Sequence, residues 1–216
     1  MNPAIHSSSV IARDEGKDSM AQIISDLTRT AVLSMDLQTA IVSIYAKGVP
    51  DFLPRVASVL KEARQRAMTV IHVQVGFRPG FPEVSERNQL FGAIKANPQW
   101  QQVFQGPAGA IHPEVAPVED EAVVVKHRVN AFHGTDLDMI LRAKEIDTLV
   151  LMGIATSGVV LSTLLDASDA DYRLIVVKDC CIDTDADVHT CLIEKTFPPR
   201  ATVLSADELR EALNSN

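Results

Sequence analysis

The segment TLVLMGIATSGVVLST, residues 148–163, decides the fold class. It opens with the largely apolar run TLVLM, continues through Gly153 and several small residues, and ends in a pattern typical of a helix. A short apolar run followed at once by a turn and a helix is typical of a parallel strand that is buried on both faces. We therefore predict a strand–turn–helix unit here, with the small-residue turn at the carboxyl end of the strand.

The same alternation of apolar runs and helical patterns extends over most of the chain. It predicts strands at 30–36, 69–75, 122–126, 148–152, 173–178 and 201–204, and helices at 52–67, 135–144, 156–170, 185–196 and 206–213. Six such strands favour a three-layer α/β fold in which a six-stranded parallel sheet has helices on both faces. Residues 76–116 are irregular and too long for a simple connection, which indicates a functional segment or one with short helices of its own.

Composition places the chain among globular proteins with a single core. It has 216 residues, of which 46% are hydrophobic and 22% charged, and this is ordinary for one soluble domain. We predict a polar N-terminal extension over residues 1–28 and one domain over 29–216. The net charge of −8 argues against nucleic acid or an anionic membrane as a partner. No apolar run reaches the ~18 residues of a membrane span, and without a signal-like stretch we expect a cytoplasmic protein.

Polar residues fall where the predicted strands end. Asp36 closes the first strand, Gln74 lies near the end of the second, Lys126 closes the third, and residues 153–158 follow the fourth. Ligands of parallel sheets bind outside the carboxyl ends of the strands, so the sequence predicts a site at this edge. Solvated or helix-capping roles are the alternative for the two charged residues, and packing inside the sheet is the alternative for the glutamine.

An Asp36–Lys126 pair would have clear chemistry available. The ammonium group favours the carboxylate, whereas burial raises the pKa of the carboxyl group, so a proton could be held or passed on near neutral pH. The turn after Gly153 could add backbone N–H groups at a helix N-terminus, and these would stabilise a developing negative charge.

Three motifs together resemble the isochorismatase-like (cysteine hydrolase) superfamily over about residues 28–205. They are SMDLQ around Asp36, VVVKHRVNAFHGTDL around Lys126, and GIATSGVVLST. The resemblance implies a six-stranded parallel sheet with helices on both sides. It also implies that the Asp, Lys and Cys of the amidase branch correspond by motif position to Asp36, Lys126 and Val159.

The same resemblance implies roles for the turn after the fourth strand. Ile154, Ala155 and Gly158 are expected to contact the substrate, and the Ile154–Ala155 peptide bond is expected to be cis. Valine at position 159 has no nucleophile and cannot form the thioester of the amidase branch. A thiol supplied instead by Cys180 or Cys181 is an alternative that the sequence leaves open.

The isochorismatase branch of the superfamily works without a thiol. There an aspartic acid protonates a vinyl ether, and water then attacks the resulting oxocarbenium ion. The resemblance therefore implies a hydrolase in which Asp36 is the general acid and Lys126 is its electrostatic partner. Two alternatives stay open: a hydrolase of amide or related C–N bonds that uses activated water, and a catalytically silent binding protein.

The resemblance also suggests what the site binds. Arg87 and Gln74 resemble substrate-binding residues of the isochorismatase branch, with Arg78 and Arg128 as alternative carboxylate partners, so we expect a small, anionic substrate. Solvated surface charge is the alternative for all three arginines. The histidines lack ligand spacing, and we predict no metal and no cofactor. Family resemblance implies a homodimer or homotetramer.

Overall fold

The computed structural model of the chain describes Ile24 and residues 26–214. It confirms the predicted α/β fold, with six parallel strands in one sheet and helices on both faces. The strands are β1 (Thr30–Met35), β2 (Thr69–Val75), β3 (Ala122–Lys126), β4 (Thr148–Ile154), β5 (Arg173–Ile182) and β6 (Thr202–Leu204). Their order across the sheet is β3-β2-β1-β4-β5-β6, so the winding direction reverses between β1 and β4.

The helices alternate with the strands along the chain. They are α1 (Thr39–Tyr45), α2 (Phe52–Gln65), α3 (Gln89–Ala96), α4 (Pro98–Gln102), α5 (Gly106–Gly109), α6 (Leu137–Ala143), α7 (Leu161–Asp169), α8 (Ala186–Cys191) and α9 (Ala206–Asn214). Short 3-10 helices cover Leu27–Arg29 and Pro113–Val115, and π-helical turns cover Thr156–Val160 and Leu192–Thr196. None of these described helices is long and apolar enough to cross a membrane.

Three helical regions differ from the sequence-based boundaries. The predicted helix over 185–196 is α-helical only over Ala186–Cys191 and continues as a π-helical turn over Leu192–Thr196. Helix α1 was not predicted, because it has only seven residues, no acidic residue in its first turn and no side-chain cap. The predicted helix over 156–170 begins instead with a π-helical turn, which contains a non-helical Gly158. Strand β5 runs on past the predicted end at 178 to Ile182, because it pairs with β4 a second time after a register shift between Leu151 and Gly153.

Two apolar clusters cover the two faces of the sheet. On one face, Val32 of β1 packs with helix α2, whose Phe52, Val56 and Leu60 recur at helical spacing. On the other face, Leu33 packs in the cluster that includes residues of α6 and α7. Adjacent residues of β1 thus serve opposite faces, as the period of two in a strand requires. Each fully buried aliphatic side chain of this kind stabilises the fold by roughly 1.5–3 kcal/mol.

The N-terminal boundary of the domain stays a prediction. Residues 1–23 and 25 of the predicted extension lie outside the described residues. Within the same stretch, Ile24 is only 1% exposed and packs in the cluster that covers α2.

Gly153 allows β1 and β4 to approach each other closely where the winding reverses. It is paired with Met35 and has a φ of +145°, and a Cβ added here would overlap the Met35 carbonyl oxygen. Only glycine tolerates this combination. The end of β1, and with it Asp36, therefore lies directly beside the turn that follows β4.

Candidate active site

Asp36 and Lys126 form a buried ion pair at the carboxyl edge of the sheet. Lys126 Nζ lies 2.8 Å from Asp36 Oδ2, and the two side chains are only 2% and 9% exposed. The ammonium group also donates to the carbonyl oxygen of Arg128 at 3.1 Å. Asp36 follows β1 and Lys126 ends β3, so the pair bridges the end of β2 between them. This burial rules out the alternative that the two residues are separate, solvated surface groups.

The backbone of Asp36 turns away from the sheet as soon as β1 ends. Its φ is 55°, a left-handed conformation that aspartate adopts more readily than most residues. Its N–H still donates to the carbonyl oxygen of Val73 at 2.8 Å. The backbone is thus fixed by β2 while the carboxyl group is directed to Lys126.

The carboxyl group of Asp36 holds a proton more strongly than an exposed aspartate does. Burial raises its pKa above the ordinary 3.8, and the charge of Lys126, its hydrogen bond and the backbone N–H of Val75 oppose this rise without cancelling it. Oδ1 is buried and has no hydrogen-bond partner among the described residues. A buried carboxylate with one unpaired oxygen is costly, so protonation is favoured. Asp36 is therefore suited to general-acid chemistry.

A cavity of about 350 Å³ adjoins this pair. Six of the residues selected from the sequence line it together: Asp36, Lys126, Ile154, Ala155, Gly158 and Val159. Gln74 and Arg87 are not part of its wall as the structure describes it. Gln74 is partly buried on β2 opposite Val125, and Arg87 is exposed in the loop before α3.

The turn after β4 is less electropositive than the sequence suggests. The Ile154–Ala155 peptide bond is cis, as the resemblance implied. The N–H of Ser157 donates to Asp183 Oδ2 at 2.8 Å, and the N–H of Gly158 donates to the Ala155 carbonyl oxygen at 3.1 Å. Both amides therefore already have acceptors, and these two N–H groups are not free to stabilise a developing negative charge.

The cavity wall carries a valine where the resemblance expects the amidase cysteine. Val159 lines the cavity and is 1% exposed, whereas none of the three cysteines is part of the wall that the structure describes. Cys180 and Cys181 are buried in β5, and burial raises the pKa of both thiols, to about 12 for Cys181. Because the thiolate is the nucleophile, these two cysteines do not take over the missing role.

The apolar part of the wall was not predicted from the sequence. Helix α1 contributes Ile41, Ile44 and Tyr45, and α3 contributes Phe91 and Ile94. The spacing i, i+3, i+4 on α1 and i, i+3 on α3 was the available signal for one helical face. Both helices are too short for that signal to stand out from the irregular sequence around them.

Gln38 is a second residue whose role was not predicted. It is fully buried, and its Nε2 donates to the carbonyl oxygens of Val75 at 3.0 Å and Gly109 at 2.6 Å. Its Oε1 accepts from the N–H of Val75 at 2.9 Å. The side chain thus fastens the end of β2, where the cavity begins, to the segment that carries α5.

Within the described part of the chain, no group of three or more His, Cys, Asp or Glu side chains is arranged to hold a metal ion. The predictions of no metal and no cofactor stay predictions.

Comparison with known protein families agrees with this geometry. The family model of the isochorismatase domain matches residues 30–208. The chain belongs to the isochorismatase family. Maleamate amidohydrolase from Pseudomonas putida is 30% identical to this isochorismatase-family chain over 183 residues, which are 82% of this chain and 84% of the relative. A ureidoacrylate amidohydrolase from Azorhizobium caulinodans is 31% identical over 170 residues, or 69% and 74% of the two chains.

Other relatives of this isochorismatase-family chain extend the comparison to plants and to solved structures. An Arabidopsis thaliana protein named "probable inactive nicotinamidase" is 30% identical over 172 residues, covering 76% of this chain and 86% of its own. An isochorismatase family protein from Burkholderia thailandensis has a TM-score of 0.72 at 28% identity and covers 87% and 96% of the two chains. The family and the fold are thereby established, and the family is one of hydrolases.

Proposed function

We propose that this isochorismatase-family chain is a hydrolase in which Asp36 acts as a general acid and no covalent thiol intermediate forms. The observation that carries the proposal is the state of Asp36. It lines the cavity, burial raises its pKa, and Oδ1 is unpaired while Oδ2 is held by Lys126. Val159 in the same wall has no nucleophilic group, so the Asp36 carboxyl group is the candidate reactive group.

The proposed reaction is the hydrolysis of an enol (vinyl) ether. Asp36 transfers its proton to the terminal carbon of the double bond, whose π electrons form the new C–H bond and leave an oxocarbenium ion. The oxygen of water adds to the cationic carbon and loses a proton, and the resulting hemiketal or hemiacetal loses an alcohol to give a carbonyl compound. One water is consumed and Asp36 regains a proton, so the balance closes.

Lys126 has a distinct part in this reaction. Its ammonium group, 2.8 Å from Asp36 Oδ2, stabilises the carboxylate that remains after the proton has left. Proton transfer by a positioned side chain contributes about 10²–10⁴-fold to the rate. The apolar wall around the pair lowers the local dielectric constant and so strengthens these electrostatic interactions.

A second candidate function rests on the relatives. Maleamate amidohydrolase and ureidoacrylate amidohydrolase are named for C–N bond hydrolysis, and this chain would need water activated near Asp36 and Lys126 to act on such a bond. A third candidate, a catalytically silent binding protein, is favoured by the Arabidopsis thaliana relative that is named a probable inactive nicotinamidase. All three candidates place the ligand in the same cavity.

The three arginines behind the expectation of an anionic substrate do not support it. Arg78 pairs with Glu83 through an Nη1–Oε1 contact of 2.6 Å. Arg128 donates to the carbonyl oxygens of His127 at 2.6 Å and Glu83 at 3.0 Å. Neither these two nor Arg87 belongs to the cavity wall as the structure describes it. The charge of the substrate is therefore not fixed by arginine.

A product assay tests the proposal. The purified protein is incubated with isochorismate, phenyl vinyl ether and a panel of small amides, and carbonyl products and ammonia are scored separately. Carbonyl release that is lost in Asp36→Asn and kept in Asp169→Asn, the same change at an exposed position, supports general-acid catalysis. Ammonia release would favour the amide hydrolase, and turnover that survives Asp36→Asn would refute both enzymatic candidates.

A further inference from the structure

The cavity beside Asp36 offers no free cation to a bound anion. Lys126 is the one cationic side chain of the described wall. It is only 2% exposed, and its ammonium group is already engaged by Asp36 Oδ2 at 2.8 Å and by the Arg128 carbonyl oxygen at 3.1 Å. A bound carboxylate would lose its hydration without gaining a free cation, and a buried charge without a partner is strongly unfavourable. The wall is therefore matched to a neutral ligand.

Aromatic and aliphatic side chains make up most of the remaining wall. Phe91 and Phe104 belong to it, and both rings pack edge-on against Phe77 with centroid distances of 5.4 and 5.7 Å. This packing fixes the two rings in place, because edge-to-face pairs of aromatic rings prefer such distances. A largely pre-formed, apolar pocket of this size is typical of a small-molecule site.

The mouth of the cavity is apolar as well. Ile44, Leu90 and Trp100 line the cavity and are 42%, 56% and 48% exposed. They come from α1, α3 and α4. Large apolar side chains that are exposed together at the rim of a pocket indicate contact with an apolar ligand.

The polar groups near the cavity add negative rather than positive potential. Tyr45 lines the cavity, and burial, Asp183 and Asp36 together raise the pKa of its hydroxyl group. Asp183 also occupies the N–H of Ser157 in the turn after β4. An anionic substrate would thus meet Asp183 and a turn whose Ser157 amide is already bonded.

We propose that the cavity binds a neutral substrate whose apolar part includes at least one ring the size of benzene. This replaces the small anion expected from the sequence. The placing of the reactive bond beside Asp36 rests on the proposed function. The binding of the apolar body does not depend on turnover, so the two can be tested apart.

Binding is measured first, with ligands that cannot react. Trp100 is the only tryptophan of the chain and lies in the cavity mouth, so its fluorescence reports occupancy directly. Ethyl phenyl ether and 4-ethoxybenzoate are saturated ethers that differ only by a carboxylate. We expect the neutral ether to bind at least about tenfold more tightly, since desolvating an unpaired charge costs more than 1.4 kcal/mol. Equal or tighter binding of the benzoate would overturn the proposal.

A charge placed in the mouth should change this preference. Leu90→Arg alters a residue that is 56% exposed, so the fold should tolerate it, and we expect the preference for the neutral ether to shrink by about tenfold. Met139→Arg adds the same charge at a residue that is 66% exposed on α6 and outside the described cavity wall. It should leave both affinities unchanged. An unaltered preference in Leu90→Arg would show that the ethers bind elsewhere.

Turnover then separates the substrate class from the reaction. Phenyl vinyl ether and 4-(vinyloxy)benzoate each take up one water and release acetaldehyde and a phenol if they are hydrolysed. Preferred hydrolysis of the neutral ether supports both proposals. If the neutral ether binds more tightly but neither vinyl ether is hydrolysed, the proposed acid catalysis is refuted and the proposed neutral ligand class stands. Preferred hydrolysis of the benzoate would refute the substrate class and keep the role of Asp36.

Discussion

Two carboxyl groups lie near opposite ends of the edge strand β3, a part-buried one at Glu121 and a buried one at Asp36, and they are held in opposite ways. Glu121 precedes the strand and accepts hydrogen bonds from Arg64 Nε at 2.7 Å, Arg64 Nη2 at 2.9 Å and the N–H of Val118 at 3.0 Å. His72 Nε2 also lies 3.0 Å from its Oε2. Burial raises the pKa of Glu121, but these bonds outweigh it and hold the pKa at about 2.

Asp36, at the other end of β3, has far fewer partners. Lys126 meets one oxygen, the other oxygen is unpaired among the described residues, and burial keeps the pKa of Asp36 above its ordinary value. The number of donors therefore decides what a buried carboxyl group does. A carboxyl group whose two oxygens both accept hydrogen bonds stays ionised and anchors the fold. A carboxyl group with few donors beside a cavity keeps a higher affinity for a proton and is available for chemistry.

The largest effect should come from removing the proton donor. Asp36→Asn keeps the shape of the side chain but cannot transfer a carboxylic proton, so we expect kcat/KM on an accepted substrate to fall by about 10²–10⁴-fold. Steady-state kinetics measure this, with circular dichroism to check the fold. If Glu121→Gln lowered the rate of the folded protein as much as Asp36→Asn, the distinction between the two carboxyl groups would be lost.

Glu121 should matter for stability rather than for activity. Glu121→Gln removes the charge that Arg64 and His72 share, and we expect the free energy of unfolding to fall by about 2 kcal/mol, as for other hydrogen bonds to charged groups. Denaturant titration measures the change. The activity of the folded protein should stay within a factor of about two, because this end of β3 lies away from the cavity and separate sites act independently. A loss of less than about 0.5 kcal/mol, typical of surface substitutions, would contradict the anchoring role.

The two carboxyl groups should also respond to pH with opposite signs. The pKa of Glu121 in the folded protein, about 2, lies below its ordinary 4.5, so its stabilisation is complete above pH 4.5 and is lost as the pH falls toward 2. The stability difference between wild type and Glu121→Gln should shrink over that window. A constant difference down to pH 2 would disprove the assignment.

Asp36 gives the reverse dependence in catalysis. Its pKa lies above 3.8, and the acid form is the active one, so kcat/KM should decline as the pH rises through that pKa. Its ionisation also opposes folding as the pH rises above 3.8, since the folded state binds the proton more tightly than the unfolded chain. A rate that rises along the same limb would mean that the ionised carboxylate acts as a base.

The smallest effect is expected at Val159. Val159→Cys is a small change of volume in a cavity wall, and it should alter the free energy of unfolding by no more than about 1 kcal/mol. Hydrolysis that depends on Asp36 should continue, because the proposed mechanism uses no group at this position. Abolished hydrolysis in Val159→Cys would show that the valine itself is required.

The strands and the reactive pair could be predicted because local patterns encode them. Apolar runs of four to seven residues specify β1 to β6, and a parallel sheet brings the residues at strand ends, Asp36 and Lys126, to one edge. Gln74 was selected for the same reason, but the neighbouring Val75 lines the cavity and Gln74 is not part of the described wall. A period of two places neighbours on opposite faces, and the sequence does not say which of them faces the site.

Other features of the site depend on contacts between distant parts of the chain. Asp183 reaches the turn at Ser157 from beyond β5, and no local pattern announces that pairing. The apolar wall comes from α1 and from short helices in the irregular segment 76–116, whose path is set by packing such as that of Phe77 with Phe91. The charge of the cavity could therefore be inferred only from the structure.

The most direct test is a carbon NMR titration of the side-chain carboxyl groups, with Asp36 and Glu121 assigned from the spectra of Asp36→Asn and Glu121→Gln. We predict that Asp36 titrates above 3.8 and Glu121 at about 2 in the same folded protein. A midpoint for Asp36 at or below 3.8 would contradict the account, because the carboxyl group would then be another ionised anchor like Glu121.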